Sequence, residues 1–387
     1  MPLPCPHPPS PRGAVAALAA VVLGAPLWGC TPTVQPPQGQ RVEQVASLTQ
    51  KPGNPAVTAD GRLFFTMHPL DRPTHKLMER RADGSVVPFP DPDTSRTAFD
   101  NPLGIRASWD GLLWILDMGD RAGPAAHPAT RPPRLIGWDL QSGAPARVIA
   151  LPPEVLRPNS WPQDFALDQT RGMAFIADAM RADLTREDPP AIIAVELRTG
   201  AARRLLDGHE SFQPAPLPAA TSRSGLLTAL GADGKQHTVR FGLDPITSDA
   251  RDEWVYWGPG NGFGIYRARA ADLADPALPP AELARRVERY RDKTASDGIS
   301  VDVAGNIYVT DVLRGAVGVS TAEGYRVLAR DPRMIWPDGL AFGPDGLLYV
   351  TVSQFGRMPV VNAGQDRSEP PYVVLRLRPL APSAVGR

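Results

Sequence analysis

The sequence has little cysteine and no net charge. Its 387 residues include two cysteines, Cys5 and Cys30, and its 41 Lys+Arg balance 41 Asp+Glu. A chain without a basic surplus lacks the electrostatic footprint of nucleic-acid binding, so we expect no nucleic-acid partner. The motifs G-x-S-x-G, H-E-x-x-H and G-x-x-x-x-G-K-[ST] are also missing, which leaves serine hydrolases, zinc peptidases and nucleotide hydrolases without support.

The N-terminal segment resembles an export signal. Residues 13–29, GAVAALAAVVLGAPLWG, are uncharged and end at Cys30. The run is short for a transmembrane helix, and its end, LWGC, resembles a bacterial lipobox. We therefore predict a lipoprotein-type signal peptide over 1–29, lipidation of Cys30 and a tether over 30–40. An ordinary cleaved signal peptide is the alternative. Either way the expected location is the cell envelope, periplasmic or outer surface, or the secreted fraction.

The mature chain contains one pattern six times. Each copy is an apolar stretch, a tight turn and a second apolar strand whose third residue is aromatic. The copies are GNPAVTADGRLFFT, LGIRASWDGLLWIL, DFALDQTRGMAFIA, GLDPITSDARDEWVYWG, DGISVDVAGNIYVT and DGLAFGPDGLLYVT. The aromatic residues are Phe64, Trp114, Phe175, Tyr256, Tyr308 and Tyr349.

These copies predict β-hairpins arranged as propeller blades. Asp-Gly turns flanked by β-branched and aromatic residues are typical of two-residue hairpin turns. Six repeats made of strands favour an all-β, six-bladed β-propeller over 41–380, followed by a C-terminal tail over 381–387. One short helix is expected between blades four and five, within 278–290. Residues 211–236 show no strand pattern and predict a long loop.

Carboxylates recur at matched places in the repeat. Asp164, Asp297 and Asp338 begin the first strands of blades three, five and six, and Asp117, Asp178 and Asp311 end second strands. Since the innermost strands of a propeller run the same way along the channel, we expect these groups at one entrance. Such a site suits a divalent cation, Ca²⁺ above all, or an organic amine. For Asp117, Asp178 and Asp311 the favoured role is hydrogen bonding to backbone N–H groups of the neighbouring turn, and a ligand role is the alternative.

Two other features are weaker candidates. The glycine-rich segment GPGNGFG, 258–264, precedes another strand-like segment instead of a helix, so it does not fit a phosphate loop. His68 follows the second strand of blade one and could reach the carboxylate entrance. The remaining histidines show no metal spacing. No catalytic residue can be assigned from the sequence, which leaves open whether the chain is an enzyme.

Several segments resemble the major royal jelly protein/yellow family. They are PQDFALDQTRGMAFIADAM, AIIAVELRTGAARRLLDGHES, WVYWGPGNGFGIYRARAADLAD, SDGISVDVAGNIYVTD and WPDGLAFGPDGLLYVTVSQFGRMP. The resemblance implies a six-bladed propeller from a family whose members include tautomerase-like enzymes, amine binders and nutritional proteins. It places a ligand site at Asp338, Ser353 and Phe355, where Ser353 replaces a common Asn. With Asp164 and Asp297 from the repeat, these five residues form the expected ligand site.

A more distant resemblance is to gluconolactonase/regucalcin propellers, which hold a divalent ion. Asp297 in SDGISVD is similar to their aspartate, Asp164 stands beside Gln163 where an Asn motif would be, and Asn54 lies where blade one would carry a Glu. This resemblance implies a metal site at Asp164, Asp297 and Asn54, and a metal-dependent lactonase.

The favoured interpretation is therefore an exported, monomeric propeller that binds a small aromatic or amine ligand at one mouth of its channel, with tautomerase-type activity left open. The membrane would be contacted only through the lipid anchor. The alternatives are the lactonase and a surface-anchored scaffold for protein interactions.

Overall fold

The computed structural model describes residues 40–179, 189–215, 228–230 and 234–385. These residues form six four-stranded antiparallel sheets and one two-stranded hairpin. The first three blades contain, from the inner to the outer strand, β2 (Pro52–Val57), β3 (Leu63–Met67), β4 (Leu77–Arg80) and β5 (Val86–Pro88); β6 (Pro102–Ala107), β7 (Leu112–Asp117), β8 (Arg134–Asp139) and β9 (Ala144–Ala150); β10 (Pro162–Asp168), β11 (Met173–Asp178), β12 (Ala191–Glu196) and β13 (Ala202–Leu205).

The hairpin and the last three blades follow. They contain β14 (Thr228–Leu230) with β15 (Gln236–Thr238); β16 (Leu243–Ser248), β17 (Trp254–Pro259), β18 (Gly264–Arg269) and β19 (Glu288–Asp292); β20 (Ser296–Val301), β21 (Ile307–Asp311), β22 (Ala316–Thr321) and β23 (Gly324–Arg330); β24 (Pro337–Phe342), β25 (Leu348–Val352), β26 (Tyr372–Leu377) and β1 (Val42–Leu48).

The six inner strands form a closed ring. Each one contacts the inner strand of the next blade in chain order, and β24 of blade six returns to β2 of blade one. The first described strand, β1, supplies the outer strand of blade six and so joins the two ends of the chain. It pairs antiparallel with β26, from Val42 opposite Leu377 to Leu48 opposite Tyr372. This arrangement confirms the all-β, six-bladed propeller.

The recurring aromatic residue fills the space between blades. In five blades it pairs across the sheet with a small residue, as Phe64 does with Ala56 and Tyr308 with Ser300. All six rings are buried, and each such burial contributes roughly 2–3 kcal/mol. In blade two the partner of Trp114 is instead Arg106, whose side chain donates to Asp164 of blade three and to the Ile246 carbonyl of blade four.

Helical structure is limited to short pieces in the described chain. The α-helices are α1 (Pro92–Thr97), α2 (Ala270–Ala274) and α3 (Pro280–Arg285), and the 3₁₀ turns are Pro69–Asp71, Gly119–Arg121, Pro153–Val155, Glu210–Phe212, Phe355–Arg357 and Pro359–Val361. No helix among the described residues has the length and apolar character needed to cross a bilayer.

The structure differs from the sequence prediction in two connecting segments, the helix expected within 278–290 and the loop expected over 211–236. The helix expected within 278–290 is α3, but it lies inside blade four, between β18 and β19, and not between blades. Its predicted end at Tyr290 is part of β19, because the amphipathic pattern gives way to the alternation of an edge strand. The segment expected to be a loop over 211–236 contains β14 and the start of β15, while 216–227 and 231–233 lie outside the described residues, as do the predicted signal peptide and Cys30.

Candidate functional site

A one-residue bulge starts every inner strand. In blade five, Ser296 pairs with Asp311 and Ile299 with Val309, so three steps on β20 match two on β21. The same shift occurs in the other five blades. A bulge re-aims the side chains beside it. Counting from the paired residues, the equivalent bulge positions in blades one to six are Gly53, Leu103, Gln163, Asp244, Asp297 and Asp338.

Five of these residues line a small cavity at one mouth of the channel. The wall consists of Leu103, Gln163, Asp244, Asp297 and Asp338, and the remaining lining comes from His68, Ala179 and an aromatic cap of Trp161, Phe241, Trp336 and Phe355. Its volume is about 30 Å³. A space of that size holds a water molecule or an ammonium group.

The three wall carboxylates are buried and resist ionisation. Burial raises the pKa of Asp297 to about 6, although the indole of Trp336 donates a hydrogen bond of 2.6 Å from Nε1 to Oδ2. Burial, followed by the charge of Asp297, raises the pKa of Asp244 and of Asp338. Oδ2 of Asp338 has no hydrogen-bond partner among the described atoms. The cavity therefore holds three carboxyl groups whose ionised forms have no compensating positive charge within the lining.

Asp164 lies one register position further along β10 than the wall residues. Its Oδ2 accepts a hydrogen bond of 2.8 Å from Arg106, and both side chains are 7% exposed. Burial raises the pKa of Asp164, and the Arg106 guanidinium opposes that rise. The repeat predicts Asp164 at this entrance beside Asp297 and Asp338, but Asp164 is not part of the cavity lining. The bulge places Gln163 there, whose Nε2 donates to Oδ1 of Asp244 at 2.6 Å.

Ser353 and Phe355 have different positions relative to the cavity. Ser353 is buried outside the lining, hydrogen-bonds Asp338, and accepts a hydrogen bond from the backbone N of Phe355 at 3.2 Å. The Phe355 ring lies in the cap, with ring centroids 5.4 Å from His68, 5.4 Å from Trp336 and 5.9 Å from Phe241. Ser353 therefore orients a carboxylate and the cap, while Phe355 faces the cavity.

His68 reaches the cavity, as its position in the repeat allows. Its Nδ1 accepts a hydrogen bond of 3.3 Å from the backbone N of Leu70, so in the neutral ring the proton is on Nε2. Burial, aided by the charge of Lys51, lowers the pKa of His68 to about 3. The imidazole is neutral at physiological pH and contributes no compensating charge.

Asp117, Asp178 and Asp311 end their strands opposite Pro102, Pro162 and Ser296, beside the wall, but they do not line the cavity. The expected hydrogen bonds to neighbouring backbone N–H groups are confirmed. Each is fully buried at the end of its strand and is bonded within the fold. Asp178 accepts from the Ser160 hydroxyl at 2.6 Å and the Trp161 backbone N at 2.7 Å. Asp117 likewise accepts from two backbone N–H groups of the preceding loop and from an arginine, and Asp311 from an arginine and a tyrosine hydroxyl. These groups fasten strand ends to loops.

Sequence comparison assigns the family. Residues 104–365 match the model of the major royal jelly protein family. The chain belongs to this family. No curated protein matches the chain. Similar solved structures include a luciferin-regenerating enzyme (TM-score 0.54, 13% identity, 90% of this chain and 99% of that one) and regucalcin, a calcium-binding protein from Agrobacterium tumefaciens (0.53, 15%, 90% and 98%). A gluconolactonase from Xanthomonas campestris is also similar (0.53, 13%, 88% and 90%). At these identities the likeness shows the shared propeller fold.

The metal ligands implied by the lactonase resemblance do not all line the cavity. Asn54 and Asp164 both lie one register position beyond the wall, on blades one and three, and Asn54 packs against Gly339. Only Asp297 lines the cavity. Within the described residues, no three His, Cys, Asp or Glu side chains are arranged to hold a metal ion. The donor set does not fit a Ca²⁺ site of the expected composition.

Sequence reasoning missed Asp244, Gln163 and most of the aromatic cap. The signal for Asp244 was present, since Asp244-Pro245-Ile246 matches Asp297-Gly298-Ile299 in the repeat. The fourth copy of the repeat, as given above, begins at Gly242, two residues before Asp244. Asp244 therefore does not coincide with Asp297 and Asp338, which begin their copies. The cap residues Trp161 and Phe241 precede their inner strands. Trp161-Pro162 matches Trp336-Pro337 in blade six, so a repeated signal exists for Trp161 just outside the aligned copies.

Proposed function

We propose that the protein binds a small organic amine, with its ammonium group in the cavity and its apolar part against the aromatic cap. The observation that carries this proposal is the charge of the lining. Asp244, Asp297 and Asp338 line the cavity, and no described lining residue is a cation at neutral pH. An ammonium group supplies both the missing charge and several N–H donors for separated acceptors.

The shape of the site favours an amine over a metal ion. The carboxylates come from three different blades and do not converge into a three-ligand set in the described structure. Separate acceptors suit the N–H groups of an ammonium ion better than the compact oxygen shell of Ca²⁺. The lactonase alternative needs such a shell and is therefore the less supported proposal.

The apolar part of the ligand would lie in the cap. The cavity of about 30 Å³ admits an ammonium group but no ring. A larger ligand must therefore displace part of the packed contact among Phe241, Trp336 and Phe355. Aromatic faces next to a bound cation add about 1–2 kcal/mol when the pair is desolvated. An amine carrying a flat ring is the ligand class that would contact both the carboxyl-lined cavity and the aromatic cap.

Tautomerase-type proton transfer is the second candidate. The raised pKa of Asp297, about 6, lies where a carboxylate accepts and returns protons near neutral pH. The neighbouring Asp338, with its raised pKa, can hold a proton as a donor. In a tautomerisation, Asp297 would take a proton from a ligand carbon and Asp338 would give one to a ligand oxygen. The net change moves one proton and needs no oxidant. Export through the predicted leader, with Cys30 as anchor, remains a separate proposal about location.

Calorimetric titration tests the binding proposal. The probes are tryptamine and its uncharged analogue 3-ethylindole, with Ca²⁺ as a third titrant. We expect tryptamine to bind at least tenfold tighter than 3-ethylindole, and Asp338→Asn to abolish this preference. Glu154→Gln, an exposed carboxylate outside the site, is the matched control and should bind as the parent does. Equal affinity for both indoles would refute the proposal, and tight Ca²⁺ binding lost in Asp297→Asn would favour the lactonase.

A further inference from the structure

Lys293 is a buried lysine behind the cavity wall. It lies between β19 and β20 and is 3% exposed. Its Nζ donates to the carbonyl oxygens of Pro259 (2.6 Å), Thr294 (3.1 Å) and Gly262 (3.2 Å) and to the hydroxyl of Ser296 (3.0 Å). All four acceptors are neutral. A buried ammonium without a bonded carboxylate is costly, so its contacts with the loop need a physical explanation.

Two of these acceptors belong to the glycine-rich loop, 258–264, that the sequence singles out. Lys293 also donates its backbone N–H to the carbonyl of Phe263. A Cβ on Gly258 would approach Cε of Lys293 to 2.6 Å. Glycine is therefore required where the loop crosses the lysine side chain. The backbone of the loop and the Lys293 side chain are therefore in close contact.

The opposite side of the same loop holds the cavity wall. The backbone N of Gly260 donates to the Gly242 carbonyl at 2.6 Å. Asn261 makes a reciprocal pair with Phe241: its N donates to the Phe241 carbonyl at 2.9 Å, and its Oδ1 accepts from the Phe241 N at 2.6 Å. A Cβ on Gly260 would lie 2.7 Å from Oδ2 of Asp244 and 2.8 Å from Cβ of Phe241. The loop thus fits directly onto one carboxylate and one cap residue.

We infer that Lys293 is a positioning residue of the cavity: its ammonium holds the glycine-rich loop, and the loop fixes Asp244 in the wall and Phe241 in the aromatic cap. The lysine is also the nearby positive charge that favours the ionised form of Asp244. Burial lowers the pKa of Lys293 to about 7, and attraction to Asp244 and Asp311 opposes that fall. Only the ligand-binding arm of the test below rests on the proposed function.

The experiment compares Lys293→Met with Lys76→Met in the full chain. Lys76 is the matched control because its Nζ likewise donates to backbone carbonyls, those of Arg96 and Phe99, away from the cavity. Two quantities are measured: tryptamine affinity from pH 5 to 8, and titration of the Asp244 carboxyl by ¹³C NMR, with its signal assigned by its loss in Asp244→Asn. The charged groups around Asp244 are Asp164, Lys293, Asp297, Asp338 and, bonded to its strand, Arg106.

We expect Lys293→Met to move the Asp244 titration to higher pH and to weaken tryptamine binding at least tenfold, while Lys76→Met changes neither. A folded Lys293→Met protein with an unchanged Asp244 titration would overturn the inference. If tryptamine binds no protein, the parent included, the proposed function fails, whereas the titration still decides the role of Lys293.

A second variant covers the case in which Lys293→Met does not fold. Gly260→Ala leaves the lysine in place and puts a methyl group against Asp244 and Phe241, as the distances above require. We expect a displaced Asp244 signal and at least tenfold weaker tryptamine binding. An unchanged Asp244 signal in folded Gly260→Ala would show that the loop does not position the wall.

Discussion

Replacing Asp297 with asparagine should stabilise the protein at alkaline pH and leave it nearly unchanged in acid. The carboxyl has a pKa of about 6 in the folded chain, against an ordinary value of 3.8. Because the folded pKa is the higher one, the favourable contribution of the neutral carboxyl is fully present below pH 3.8. It is lost as the pH rises and is gone above about pH 6.

The size of the effect follows from that difference. The interval between 3.8 and about 6 corresponds to about 3 kcal/mol of unfolding free energy at pH 8. Asparagine cannot ionise, and its Oδ1 can still accept the hydrogen bond from Trp336 Nε1. Removing the charge of Asp297 also relieves Asp244 and Asp338, whose pKa values it raises. The two contributions have the same sign.

Urea unfolding of both proteins at pH 4 and pH 8 measures the effect. We expect Asp297→Asn to be more stable than the parent by about 3 kcal/mol at pH 8. This corresponds to a rise in Tm of roughly 4 °C for a chain of this length. At pH 4 the two should agree within about 1 kcal/mol. A stability difference that is the same at both pH values, or a variant that is weaker at pH 8, would refute the account of a buried, destabilising carboxylate.

Two further predictions concern contacts around the channel. Arg106→Met should destabilise the fold by about 3–5 kcal/mol in urea, because it leaves Asp164 buried without its cation; Arg106→Met combined with Asp164→Leu should recover most of that loss, and no recovery would contradict the pairing. Gly339→Ala should cost about 1–3 kcal/mol of thermal stability, because its Cβ would lie 2.4 Å from Cδ of Pro55 and 2.5 Å from Oδ1 of Asn54. An unaltered Tm would show that these inner strands are not tightly packed.

The repeat predicts the fold well because blade packing imposes the same demand six times. A large ring recurs at one position in all six blades, and in five of them it lies opposite a small residue. Pairs such as Phe175 with Ala166 or Tyr349 with Ala341 therefore carry the signal locally. The role of β1 is harder to see, because its pairing with β26 joins segments at opposite ends of the chain. No sequence pattern within residues 42–48 identifies β26 as the pairing strand.

The site is predicted only in part because a bulge changes which residue faces the channel. Asp297 and Asp338 both lie in the cavity wall, because their blades share one register. In blade three the connection between the first two strands is one residue longer, since Ala166 pairs with Phe175 whereas Ser300 pairs with Tyr308. Counting back from the aromatic residue therefore reaches Asp164 instead of Gln163. Lys293 could not be recognised, because its partners are mostly backbone carbonyls that any residue supplies.

The closure of blade six by β1 bears on when the protein can fold. Three strands of that blade, β24, β25 and β26, come from the end of the described chain and the fourth from its start. Until the last of them has been synthesised, β1 has no partner strand, and the ring remains open with unpaired backbone groups on its edges. Contacts of such long sequence separation form slowly. Blade six is therefore the last sheet that can be completed, and the ring closes only after β26 has been made.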